Sequence, residues 1–78
     1  MALELFHTLA DPESAAVRRR MGELELFDRV ELRNVHFDSH REAFESHGGK
    51  SLPALWDGRV LHEGREAVLA ELARLAVA

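Results

Sequence analysis

The side chains in this sequence best suited to move a proton or hold a metal are five histidines, His7, His36, His40, His47 and His62. None of them forms an HExxH motif, so they read as scattered surface groups and no metal site is expected. No cysteine is present. That absence rules out thiolate nucleophiles, disulfides, iron–sulfur clusters and cysteine-based zinc sites. Two hydroxyls, Thr8 and Ser14, flank the carboxylate of Asp11 near the start of the chain. Asp11-Pro12 reads as a helix N-cap followed by an N1 proline, and no second carboxylate pairs with Asp11 for acid–base chemistry. The residues alone therefore assign no catalytic group.

A modest core must position these groups. The 78 residues are 46% hydrophobic and 31% charged, in mixed order, which is the balance of a globular chain and a length suited to one domain over residues 1–78. Net charge is −4, and the basic run Arg18-Arg19-Arg20 sits among Glu13, Glu23 and Glu25, so nucleic acid is not an expected partner. Glu4 falls where a signal peptide needs apolar residues, and no apolar run reaches membrane-spanning length. A cytoplasmic location without a membrane partner is expected.

Local patterns predict the elements. Residues 2–7 put Leu3 and Leu5 on one face and Phe6 on the other, a strand covered on both sides. A helix starts at Pro12, with Ala16, Val17, Met21 and Leu24 as its apolar stripe. Residues 28–35 alternate, Val30, Leu32 and Asn34 against Glu31 and Arg33, as a half-buried edge strand. Ser39-His40-Arg41-Glu42 has the form of a capping box before a short helix that ends at Gly48-Gly49. Two brief apolar runs, 52–56 and 59–62, flank Asp57-Gly58, which predicts a hairpin with a two-residue type I′ turn. A last helix over 65–77 carries Val68, Leu69, Leu72, Leu75 and Ala76 inward and Glu66, Glu71 and Arg74 outward. The fold class is α/β, with strand–helix–strand–helix–strand–strand–helix order, a four-stranded mixed sheet and helices on both faces.

That order, with a proline opening the third strand and an Asp-Gly hairpin after it, resembles the thioredoxin-like fold in its glutaredoxin form. The segment 49–58, Gly-Lys-Ser-Leu-Pro-Ala-Leu-Trp-Asp-Gly, is similar to the stretch of glutaredoxins and glutathione S-transferase N-terminal domains in which a hydrophobic residue precedes a cis-proline. The resemblance spans nearly the whole chain. It implies that Leu52-Pro53 is cis and that the Leu52 main chain pairs with the cysteinyl part of glutathione or with an extended peptide. Where redox-active members carry Cys-Pro-x-Cys, this chain has Asp11-Pro12-Glu13-Ser14. A carboxylate at Asp11 forms no mixed disulfide and repels an approaching thiolate. Transferases follow the fourth strand with Glu-Ser, which holds the γ-glutamyl carboxylate; the match here is Glu63-Gly64, lacking one hydroxyl donor.

The resemblance thus implies a redox-inactive binding module for a glutathione-like ligand, a peptide or a protein partner, with Asp11, Leu52, Pro53, Glu63 and Gly64 as candidate contacts. The alternative it implies is a degenerate glutathione-dependent transferase in which Ser14 or Thr8 activates the thiol. That alternative is disfavoured because the helical domain completing the electrophile pocket of transferases has no counterpart in these residues.

Overall fold

Leu5 and Phe6 are both fully buried, yet in different cores. They are neighbours in β1 (Leu3–His7), and successive strand residues point to opposite faces, so the sheet built on β1 needs a helical cover on each side. The computed structural model describes residues 3–77, so Ala2, expected to open this strand, lies outside the described residues. The remaining elements are α1 (Pro12–Glu23), β2 (Val30–Asn34), α2 (Asp38–Ser46), β3 (Ala54–Trp56), β4 (Leu61–Glu63) and α3 (Arg65–Ala76). Leu5 joins Val17 and Met21 of α1 with Val68 and Leu72 of α3, while Phe6 joins Phe44 of α2 and Ala54.

The sheet order is β2-β1-β3-β4, with β1 and β2 parallel and the other pairs antiparallel. This is the layout of the thioredoxin-like fold. Its edge strand β2 is wetter than its alternation suggests. Val30 is buried but Leu32 is 40% exposed, and Arg33 reaches Glu31 of the same strand at 2.5 Å and Glu4 of β1 at 3.1 Å.

Helix α1 begins as its sequence dictates. Asp11 accepts the amides of Glu13 and Ser14 ahead of Pro12, satisfying two of the donors that every helix start leaves open. Its buried stripe is Ser14, Val17 and Met21, with Ala16 and Leu24 half-buried. The helix ends in a Schellman turn. The Leu26 amide donates to the Met21 carbonyl and the Glu25 amide to Gly22, with Glu25 at φ +56° and Leu26 tucked into the core.

Three local expectations are corrected. The Ser39–Glu42 capping box does not form, because Asn34 Oδ1 accepts the His36 amide at 2.9 Å and turns the chain early. Phe37 becomes the N-cap, Ser39 falls inside the first turn, and no side chain caps α2. The hairpin turn is not a two-residue I′ turn. Trp56 faces Leu61, so Asp57 to Val60 connect the strands, and Asp57 Oδ1 accepts the Arg59 and Val60 amides at 2.8 Å each. Within this loop positive φ occurs at Gly58 alone, whereas a I′ turn requires it at both central residues. On α3, Glu71 belongs to the inner stripe. It is 7% exposed, three residues after Val68 and four before Leu75, a spacing that places it on their face.

Among the described residues, no helix is long and apolar enough to cross a membrane.

Candidate functional site

Strand register gathers most of the sequence-predicted site at one end of the sheet. Phe6 pairs with Ala54 and Ala54 with Glu63, so the next residues outward are His7, Pro53 and Gly64. Pro53 accepts the Gly64 amide at 2.8 Å, and the Leu52–Pro53 peptide is cis. Glu63 Oε1 accepts the Lys50 and Ser51 amides at 2.7 and 2.8 Å. Those two bonds hold its carboxyl below the usual range, and they fix the loop that delivers Leu52. Among the described residues, no protein group bonds the Leu52 amide or carbonyl. Gly64, at φ +93°, caps α3 without a side chain, and nothing would touch a Cβ there.

The β1–α1 junction forms a second group at the same end. Ser14 is fully buried; its Oγ donates to Asp11 Oδ2 at 2.9 Å and accepts the Thr8 amide at 3.3 Å. Arg18 donates to the Thr8 carbonyl at 3.2 Å and to Nδ1 of His7 at 2.9 Å. His7 is 4% exposed, and burial first, with the Arg18 charge second, lowers its pKa from 6.5. An ion pair of 3.0 Å between Glu13 and Arg65 ties the start of α1 to the start of α3. Pro53, Glu63 and Gly64 are thus one hydrogen-bonded unit that carries Leu52 on its loop, and Thr8, Asp11 and Ser14 are another, joined through Glu13–Arg65. Asp11 itself makes no bond to the Leu52 unit.

What this end can do follows from which groups are spoken for. The Asp11 carboxylate and the Ser14 hydroxyl are consumed in capping and in each other, so neither is free to activate a thiol. Open main-chain groups at Leu52 and an uncapped helix start at Gly64 remain, which suit an extended chain with a terminal anion.

The opposite end holds a cluster that sequence reasoning missed. His62 Nε2 lies 2.9 Å from Asp57 Oδ2 and 3.9 Å from Glu71 Oε1. Arg74 Nε donates to both Glu71 oxygens at 3.1 Å. The His62 hydrogen bond, followed by the Val60 amide, pulls the Asp57 carboxyl down to about 2. The Arg74 bonds lower Glu71 against the opposing effect of burial. A cavity of about 380 Å³ bounded by Leu3, Asp57, Arg59, Arg74 and Leu75 opens beside it. Two further histidines make specific contacts, while His36 is exposed. His47 stacks on Trp56 at 3.8 Å, and His40 bridges the Asn34 carbonyl and Arg33. Adjacent apolar residues gave no hint of these contacts, which cross between elements.

No family model matches the chain, and no curated protein matches its sequence.

Proposed function

We propose that this chain is a redox-inactive relative of glutaredoxins and glutathione S-transferase N-terminal domains that binds an extended, anionic peptide. The observation that carries this reading is the unpaired main chain of Leu52, held in place by Glu63 and next to the side-chain-free start of α3. A peptide laid along Leu52 gains strand-like hydrogen bonds. Its carboxylate meets the free amides of the α3 first turn. Glutathione, a tripeptide with two carboxylates, is the natural probe. The transferase alternative loses ground because the Ser14 hydroxyl is buried and doubly bonded, which leaves Thr8 alone to serve it.

Titration of the ¹⁵N-labelled chain with reduced glutathione tests the reading. The Leu52, Gly64 and Arg65 amides should shift together and saturate with a dissociation constant on the order of 1 mM. Saturation mapping elsewhere, or no shift at 10-fold higher ligand, overturns it.

A further inference from the structure

We infer that Asp57, His62 and Glu71 form a binding site for a divalent transition metal of the zinc class, at the hairpin end of the sheet and independent of the Leu52 edge. Three ligand atoms, Asp57 Oδ2, His62 Nε2 and a Glu71 carboxylate oxygen, all lie within 4.8 Å of one another. Metal–ligand bonds of about 2.0–2.1 Å at tetrahedral angles set ligand atoms about 3.3 Å apart. The His62 separations of 2.9 and 3.9 Å straddle that spacing and need shifts of about half an ångström, while the Asp57–Glu71 pair, within 4.8 Å, closes by at most about 1.5 Å. One imidazole with two carboxylates is a donor set that zinc and its first-row neighbours accept and that magnesium or calcium, which favour all-oxygen cages, does not.

The surroundings are those of oriented ligands. Asp57 turns Oδ1 away to the Arg59 and Val60 amides, which leaves Oδ2 aimed at His62. Glu71 is 7% exposed and held from its outer side by Arg74. Donors behind a carboxylate fix its direction and tune its strength as a ligand. The Arg74 side chain is 62% exposed, so its charge can swing outward when a cation enters. The cavity reaches the cluster at Asp57 and leaves that side open, where a water or an anion beside Arg59 completes the coordination. The loop end of β3, the middle of β4 and the second turn of α3 converge here.

The full chain, stripped with a chelator, is titrated with Co²⁺ by visible absorption and with Zn²⁺ by calorimetry. One equivalent should bind. Losing a group that merely orients a ligand costs about 10–100-fold in metal affinity, so His62→Gln should weaken binding at least tenfold while His36→Gln leaves it unchanged. Where His62→Gln fails to fold, the ¹⁵N shifts of the wild-type imidazoles decide: zinc should move Nε2 of His62 ahead of the other four. Absence of saturable one-to-one binding, an unaffected His62→Gln variant, or a shift confined to other histidines overturns the site and shows instead a His62 hydrogen-bonded between two carboxylates.

Discussion

The hydrogen bond between Arg18 Nη1 and His7 Nδ1, 2.9 Å long, has one possible polarity. A guanidinium only donates, so Nδ1 must carry a lone pair and the imidazole must be neutral with its proton on Nε2. Burial acts in the same direction, lowering the folded pKa below 6.5. The unfolded chain therefore takes up this proton at higher pH than the folded one. The contribution is complete above pH 6.5 and is lost as pH falls through the folded value, at no more than about 1.4 kcal/mol per pH unit for a single proton. Urea denaturation at pH 7.5 and 5.5 should show this loss in the wild type and a smaller one in His7→Asn, which keeps an acceptor and does not titrate. Equal losses would show that His7 has no part in it.

Asp11 occupies an N-cap whose amides, from Glu13 and Ser14, point at its carboxylate. A thiolate placed there would be stabilised by the same donors, as thiols at helix starts are. Asp11→Cys should therefore have a thiol pKa about one unit or more below the usual 8.5. It should also react with glutathione disulfide, the thiolate displacing one glutathione as thiolate and keeping the other in a mixed disulfide. Mass spectrometry across a pH series reads both. A thiol no more acidic than free cysteine would separate Asp11 from the position that the proposed relationship gives it.

Gly49 faces the Phe44 ring so closely that a Cβ would stand 2.3 Å from one ring carbon and 2.5 Å from two others. The ring cannot retreat, since it is 8% exposed and packs on Phe6 at 5.5 Å. Gly49→Ala should cost about 1–3 kcal/mol, the range for overfilled cores. Thermal unfolding followed by circular dichroism should show a drop of several degrees, and an unchanged midpoint would mean that α2 shifts freely.

Glu25 holds a left-handed conformation that glycine adopts at little cost. Relief of that strain outweighs the extra freedom glycine gives the unfolded chain. Glu25→Gly should thus raise stability by up to about 1 kcal/mol, seen as a higher urea midpoint at unchanged m-value. A lower midpoint would show that the glutamate side chain makes a compensating contact.

The elements were legible where local chemistry and packing agreed. Asp11-Pro12-Glu13 carries its own start signal, and the opposed Leu5 and Phe6 announce a strand covered twice. Local signals mislead where a side chain takes over a main-chain role. Asn34 turned the chain ahead of Ser39, and the Asp57 carboxylate replaced a carbonyl in the hairpin. The charge of Glu71 predicts an outward side chain, although its position on the wheel points inward, and Arg74 with His62 makes that burial tolerable. The Leu52, Glu63 and Gly64 grouping could be placed through resemblance. The Asp57–His62–Glu71 grouping could not, since no spacing rule connects a loop, a strand and a helix turn.

Strand β2 ends the sheet with Glu31 and Arg33 locked to each other and Arg33 to Glu4. Opposite charges there do more than cancel. They make a second copy of the strand a poor neighbour, because docking would strip water from both ions. Replacing the pair by Glu31→Val and Arg33→Val would leave Val30 and the exposed Leu32 in an uninterrupted apolar ribbon. The chain would still fold, and precipitation would become its first failing.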